Sequence, residues 1–383
     1  VLDALLVGRR LKIAFVVDSA NSQRAGGLVA AERIIDALRE HHDVTSIGLG
    51  GDVDLEPLQF PVGQELIDAN SFSFARPDDE RLVRAIEGVD VVHVQLPFFL
   101  GFRALALAHA LHVPAVAAHH VQPENLCRNV ALLLPSLKHA LERPGLMRGI
   151  NRLLTLSFFN RADAIICPSH LALEELKAAG LRVPAVVISN GAPARFAPLP
   201  SRPPGPFTVL TVGRLVPEKR QDVVLEAARR SKHARELRVV IAGRGPLQHT
   251  LEALSKDHPS HVELGFKSDE ELLRLYQTAD LYVHASEVEL EGMAVLEAMR
   301  CGCPSVTSDS RSSATKQFAL GDAHLFPQGD AQALADRLDA WFEHPEWLPP
   351  AREKTLDAVK DYGLDHTLAA YEQLYERVAT QHA

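Results

Sequence analysis

The strongest constraint on this chain is an alternation that occurs twice. Short runs dense in apolar and β-branched residues alternate with helical patterns, first up to residue 190 and again over 207–309. "LKIAFVV" (11–17) reads as a strand and leads, through Gly26-Gly27, into the helical stretch "LVAAERIIDALREH" (28–41). "VDVVHVQ" (89–95), "VPAVAAHH" (113–120), "ADAIICPS" (162–169) and "PAVVISN" (184–190) read as further strands. Strands that are apolar along their whole length, and not only at every second residue, are buried on both faces. Spaced by helices, they predict a parallel sheet covered on both sides.

Between the blocks lies "FAPLPSRPPGP" (196–206), whose five prolines cannot join a ladder and predict a semi-rigid linker. The alternation then restarts: strand 207–215, helix 221–231, strand 237–245, helix 247–257, strand 262–266, helix 269–278, strand 279–286, helix 293–301 and strand 304–309. At 383 residues the chain is too long for one ordinary core. The expected class is therefore α/β, with two doubly wound, Rossmann-like domains facing across a cleft. Their expected bounds are 1–195 and 207–360, joined by 196–206. A final segment, 361–383, carries an amphipathic helix with a face to pack back on the first domain.

Composition narrows the function classes. A net charge of −9 offers no overall attraction to nucleic acid. No apolar run reaches the length of a spanning helix, and no signal-peptide pattern opens the sequence, so a cytoplasmic protein is expected. The four cysteines, Cys127, Cys167, Cys301 and Cys303, lie in apolar surroundings without a CxxC pair and read as reduced, buried thiols. "DVD" (52–54) is an Asp-x-Asp of the kind that holds a divalent ion in some sugar-nucleotide enzymes. No further carboxylate cluster supports it, and no metal is expected.

Ligands of open parallel sheets sit beyond the carboxyl ends of the strands, so the loops there are the places to look for chemistry. Gly26-Gly27 follows the first strand and precedes a helix, where a small residue lets a phosphate or substrate approach backbone N–H groups; a flexible helix cap is the plainer reading. His120 ends the strand of "AAHHVQPEN" (117–125), placed to orient a hydroxyl, although a histidine satisfied within its loop would look the same. In "TVGRLVPEKR" (211–220), Arg214 and Lys219 can converge on one anion, against the alternative of a solvated basic loop. "AGRGPL" (242–247) again puts glycines between a strand and a helix. Last, "ASEVELEGMAVLEAMRCGCPSVTSD" (285–309) sets Glu289 in a loop and Glu297 one turn into the following helix. The two can flank the positive end of that helix, near Met293, Ala294 and Val295, with a phosphate between them. Glutamates at a helix start commonly stabilise its dipole, but Glu297 stands among Val295, Leu296, Ala298 and Met299, where that reason fails. Glu287 and Glu291 read as solvated loop charges.

Together these motifs resemble the retaining glycosyltransferases of the GT-B fold, family 4 (group 1). The Glu-x7-Glu signature matches Glu289 through Glu297, the GR…K element matches Arg214 and Lys219, and "AGRGPL" matches the glycine-proline turn. Gly26-Gly27 and His120 match the first-domain elements. The resemblance implies an acceptor-binding first domain and a second that holds a nucleotide-sugar as co-substrate, commonly a UDP-sugar, with no cofactor and no metal. In that reading Arg214 and Lys219 neutralise the diphosphate, helped by N–H groups near 293–295. Glu297 holds the ribose, Glu289 the transferred sugar, and His120 the sugar near the reacting centre. Gly26 and Gly27 make room for the substrates, and Phe266 and Lys267 lie by the base. Leu290 and Glu291 depart from the family pattern of a small residue followed by an aromatic one, which leaves the donor sugar open.

"HVQPENL", "ASEVELEGMAVLEAM" and "SDSRSSATKQFA" resemble bacterial members that glycosylate diacylglycerol. Residues 132–159 mix Lys138, Arg143, Arg148 and Arg152 with many leucines, as a segment lying on the cytoplasmic face of a membrane would. A helical pair with a solvated basic face reads equally well from the pattern. A transferase acting on a soluble or polysaccharide acceptor would share every donor motif. A sugar-nucleotide epimerase or a sugar-binding protein would share the cleft.

Overall fold

The computed structural model describes residues 9–19, 26–60, 73–122 and 143–382. They divide into two compact units. One comprises the described residues up to Val121, Pro144–Ile188 and the chain from Thr367 onward; the other comprises Gln122, Arg143 and Ser189–His366.

The first unit runs β1 (Lys12–Ser19), α1 (Gly26–His41), β2 (Asp43–Leu49), β3 (Val53–Asp54), α2 (Asp79–Ile86), β4 (Val91–Val94), α3 (Phe99–Ala110), β5 (Ala115–Ala118), α4 (Pro144–Ser157), β6 (Ala164–Cys167), α5 (His170–Ala179) and β7 (Ala185–Val187). Its sheet has the order β3-β2-β1-β4-β5-β6-β7, and its described pairs are parallel.

The second unit runs β8 (Phe207–Val212), α6 (Gln221–Arg230), β9 (Leu237–Ala242), α7 (Gln248–Ser255), β10 (His261–Gly265), α8 (Asp269–Thr278), β11 (Leu281–His284), β12 (Val288–Glu289), α9 (Met293–Arg300), β13 (Ser305–Asp309), β14 (Ser312–Ser313), β15 (Leu325–Pro327), α10 (Ala331–Glu343) and α11 (Leu348–Ala358). The order of its main sheet is β10-β9-β8-β11-β13-β15, and β12 pairs separately with β14. Both units are Rossmann-like.

The second sheet shows why its strands carry no polar alternation. Val209, Val239, Ile241 and Val283 pack with Val223, Val224, Leu334 and Leu338 of α6 and α10. Their neighbours Leu210, Val240 and Tyr282 point the other way, onto Leu275, Tyr276, Leu296 and Met299 of α8 and α9. Both faces bury apolar surface, so both registers of each strand are apolar.

In each sheet the chain first builds outward on one side of its first strand and then crosses to the other side. The strand order therefore reverses between β1 and β4, and between β8 and β11. The crevices at such reversals are where ligands settle.

The segment 196–206 is not a free linker. Phe196 is buried edge-on to Tyr276, with centroids 5.9 Å apart. Arg202 donates to the Thr278 carbonyl and pairs with Asp280, whose other oxygen accepts from Thr208 N at 2.8 Å. Proline forbids a ladder but not side-on packing, and the units divide at Ile188/Ser189, earlier than 195/196. The last helix, α12 (Leu364–His382), lies with the first unit from Thr367 onward. Tyr375 Oη is 2.9 Å from His93 Nδ1, and Glu372 meets His41 at 2.8 Å and His42 at 3.2 Å.

"DVD" is a turn fitting. Asp52 accepts from Ser46 N and Oγ, both at 2.8 Å, and from Arg39, while Asp54 accepts from Gly50 N at 2.7 Å. Among the described residues no group of three or more His, Cys, Asp or Glu is placed to hold a metal ion. Cys167, Cys301 and Cys303 are buried and unbridged, and burial pushes each thiol up to about 12. Cys127 lies outside the described residues.

Candidate active site

In the second unit, the loops that leave β8, β9 and β11 are fastened to one another. Gly213 N donates to Ala242 O at 3.0 Å, Leu215 N to Arg244 O at 2.9 Å, and Leu247 N to Leu215 O at 3.0 Å. A Cβ on Gly245 would stand 2.4 Å from the Leu215 carbonyl oxygen, so this close approach requires glycine. From the β11 side, Glu287 N and Ser286 Oγ both donate to the Glu218 carbonyl, at 2.8 and 3.1 Å.

Side chains complete the fastening. Lys219 Nζ lies 2.8 and 2.7 Å from the two Glu289 oxygens, with both side chains only 16–17 % exposed. Burial pushes the Glu289 carboxyl up, but the charges of Lys219 and His284, the Lys219 hydrogen bonds and Arg214 more than offset it; the net lies below the usual carboxylate range. His284 Nε2 is 3.7 Å from Glu289, and burial holds that imidazole down at about 4, so it is neutral. Arg214 lies 3.6 Å from buried Glu218 and remains partly exposed. One lysine, one arginine and one partly buried carboxylate thus meet at the carboxyl end of the sheet, an arrangement suited to an anion bearing hydroxyl groups.

Helix α9 begins at Gly292, at φ +98°, with no side-chain cap. Met293 and Ala294 are half-buried and contribute the first N–H groups of the helix. Val295 does not join them: its N–H already donates to Gly292 O at 2.9 Å and its side chain is fully buried. The left-handed glycine folds its carbonyl back over the first turn and takes that donor. Glu297, one turn in, is buried and accepts from Tyr276 Oη at 3.2 Å. Phe266 stands 59 % exposed after β10 with the Arg244 guanidinium 4.1 Å over its ring. Lys267 instead pairs at 3.5 Å with Glu263, itself held by Arg238.

Glu287 and Glu291 are not solvated charges. Glu287 pairs with Arg220, which also meets Asp222 at 3.1 Å. Glu291 is buried and accepts from Ser189 and Asn190. Glu218, Arg244 and His284 were equally absent from the sequence reading. A glutamate inside a GR…K spacing and a histidine closing an apolar strand were the available signals.

In the first unit, α1 starts on the Gly26-Gly27 pair itself, beyond β1, and His119-His120 follows β5, with β4 between those strands. Among the described residues neither ring nitrogen of His119 nor Nε2 of His120 has a hydrogen-bond partner. Burial holds His120 down at about 4; burial, then the His120 charge, hold His119 down at about 3. His120 is therefore a neutral imidazole, fit to hydrogen-bond a hydroxyl. Asp18, closing β1, accepts from Ala75 N at 3.3 Å, and burial raises its carboxyl to about 7.

Two family models match: "Glycosyltransferase Family 4" over residues 25–196 and "Glycosyl transferases group 1" over 199–362. The chain is 27 % identical over 238 residues to an alpha-monoglucosyldiacylglycerol synthase of Streptococcus pneumoniae, covering 56 % of this chain and 51 % of that one. It is 29 % identical over 315 residues to a GDP-mannose-dependent alpha-mannosyltransferase of Mycobacterium tuberculosis, covering 79 % and 78 %. The fold is similar to that of HepE from Anabaena in complex with UDP-glucose, with a TM-score of 0.73 at 16 % identity over 96 % of this chain and 100 % of the other. The match to the Streptococcus pneumoniae protein thus spans about half of that protein's length. Two matching models, one on each Rossmann-like unit, place the chain: it belongs to the GT-B glycosyltransferases of family 4, group 1.

Proposed function

We propose that the chain transfers a hexose, with retention and without a metal or other cofactor, from a UDP-sugar to a lipid hydroxyl such as that of diacylglycerol. The Lys219–Glu289 pair beside Arg214 carries the donor half of this reading. A diphosphate competes with Glu289 for the Lys219 ammonium, and Glu289, released, accepts from the sugar hydroxyls. Arg214, Lys219 and the N–H groups of Met293 and Ala294 stabilise the charge that builds on the leaving phosphate oxygen as its bond to the anomeric carbon breaks. The acceptor oxygen bonds that carbon from the same face and gives its proton to the departing phosphate. Glu297 takes the ribose, neutral His120 a hydroxyl of the sugar, and Phe266 with Arg244 the base; Gly26 and Gly27 leave room for the substrates.

The lipid half rests on α4 and on the named activity of the Streptococcus pneumoniae relative. Leu146, Leu153 and Leu156 of α4 are exposed, Leu153 at 65 %, as are Arg148 and Arg152 of the same helix; Arg143, which precedes the helix, is exposed too. Apolar and cationic groups together on one helix suit the surface of an anionic bilayer. Lys138 and residues 132–142 lie outside the described residues. No described helix is long and apolar enough to cross a membrane, and the proposed location is the cytoplasmic membrane face. A GDP-mannose donor is the second reading, favoured by the Mycobacterium tuberculosis relative.

The test pairs UDP- and GDP-sugars with diacylglycerol vesicles and soluble acceptors, with EDTA present and absent, and assigns the product's anomeric configuration. An α-glycolipid from a UDP-sugar with EDTA present is expected. Transfer to soluble acceptors alone overturns the lipid reading, and nucleotide release without a glycosylated product points to an epimerase. Neutralising Arg143, Arg148 and Arg152 together is expected to weaken binding to anionic liposomes; undiminished binding removes α4 from the interface.

A further inference from the structure

Glu291 lies between Glu289 and the left-handed Gly292 that starts α9, yet its side chain faces away from the cations that hold its neighbours. It is 3 % exposed. One oxygen accepts from Ser189 Oγ and from Asn190 N at 3.1 Å; the other accepts from Asn190 Nδ2 at 2.6 Å and from Asn190 N at 3.3 Å. These partners are neutral donors, and both carboxylate oxygens are used.

The segment it holds opens the long stretch of the second unit, Ser189–His366. Ser189 follows Ile188, where the first unit ends. Two residues on, Ala192 N donates to Tyr362 O at 2.9 Å and Leu364 N donates to Ala192 O at 3.1 Å, close to His366, where the chain leaves the unit. The loop bearing Glu289 is anchored along its length: Ser286 Oγ and Glu287 N on the Glu218 carbonyl, Glu287 on Arg220, the two-residue pairing of β12 with β14, Glu289 on Lys219, and Glu291 on Ser189-Asn190. Among the described side-chain hydrogen bonds, the last is the one that falls between Glu289 and α9. Arg214 and Lys219 are carried by a different loop.

We propose that Glu291 is a positioning residue that clamps the Glu289 loop to Ser189-Asn190, and so sets the contact with the transferred sugar more than the diphosphate contacts, whose charged groups, Arg214 and Lys219, sit on the loop after β8. The inference rests on the donor reading above. It assigns Glu291, one of the two residues that depart from the family pattern, to the Ser189-Asn190 segment and not to the substrate.

The experiment measures binding of UDP and of UDP-glucose to the full chain by calorimetry, with GDP and GDP-mannose run in parallel. Glu291→Ala is expected to weaken the nucleotide-sugar about tenfold while the nucleoside diphosphate changes less than about twofold. Glu291→Gln, which retains an acceptor for Asn190 and can donate to Ser189 Oγ, is expected to restore wild-type binding of both. Equal weakening of nucleotide and nucleotide-sugar, or failure of Gln to restore, overturns the positioning role. A merely structural role would lower the melting temperature without changing the ratio of the two affinities. Ser189→Ala removes one donor without touching the loop and serves should Glu291→Ala not fold. It is expected to weaken the nucleotide-sugar about threefold, and an unchanged affinity overturns the clamp. Wild type that binds neither nucleotide nor nucleotide-sugar overturns the donor reading itself, and this inference with it.

Discussion

Lys219→Met isolates the electrostatics of the Glu289 grip. The methionine fills much of the lysine's space and removes an ammonium that sits 2.7–2.8 Å from both carboxylate oxygens. Glu289 is then left with the weaker influence of the Arg214 charge and with His284, 3.7 Å away and neutral above about pH 4. A carboxylate stranded in this way either stays charged without a partner or binds a proton, and protonation limits the penalty. Holding a carboxyl with an ordinary value of 4.5 as the neutral acid at pH 7 costs roughly 3.4 kcal/mol. Residual exposure of Glu289 lowers that ceiling, so a loss of about 1–3 kcal/mol at pH 7 is expected.

The sign with pH is distinctive. In the wild type the Glu289 value is depressed, so the pair's contribution is complete above 4.5 and fades only as pH falls through the lower folded value. In the variant the folded value is raised, and stability is lost as pH climbs from 4.5 toward it. The difference between the two proteins therefore widens from pH 5 to pH 7 by up to about 2.7 kcal/mol. Urea denaturation of both proteins at the two pH values reads it. Transfer is expected to drop by about 10²–10³ once the leaving diphosphate lacks this cation. A stability difference that is equal at both pH values, or transfer within about tenfold of wild type, would refute the reasoning.

Glu297→Ala removes a buried acceptor for hydroxyl groups and is expected to weaken UDP binding about tenfold or more, measured by calorimetry, with Glu297→Gln falling between. Gly292→Ala forces a side chain onto φ +98° with its Cβ 2.4 Å from Thr315 Cγ2, and a loss of about 1–3 kcal/mol should appear in urea denaturation. Burial, opposed by its Ser189 and Asn190 bonds and aided by Glu289, raises the Glu291 carboxyl from 4.5 to about 7, with the Tyr362 phenol also nearby. Its relative stabilisation is present below 4.5 and lost as pH rises through about 7. Glu291→Gln should flatten the stability profile across that window, and an unchanged profile would assign the slope to other groups.

Much of the fold was legible because periodicity reports burial directly. The runs at 207–215, 237–245 and 279–286 became β8, β9 and β11, and helix 269–278 was read to the residue, its Ser268 capping box standing in plain view. β2 was missed because "DVTSIGL" is polar at its start and only half apolar, and α10 and α11 because the strand–helix reading ended at residue 309 and no motif falls within them. Arg214, Lys219, Glu289 and Glu297 stood out in the sequence because charged residues after apolar strands, or within an apolar helical run, call for a partner; the structure supplies Glu218 for Arg214, Lys219 and Glu289 for each other, and Tyr276 for Glu297. That the Val295 N–H bonds to Gly292 O was not legible, because a helix start does not reveal which N–H groups its own cap will take.

Glu291 shows where the sequence stops. A glutamate between a leucine and a glycine has the same appearance whether it meets water or Ser189 and Asn190, a hundred residues earlier. Local pattern determined the apolar strands, the helices between them and their ends, since each depends on neighbours a few residues away. Which carboxylates are paired, which imidazoles are neutral and which segments hold the donor loop depends on groups far apart in the chain and on the water excluded between them. Only the tertiary structure decided those.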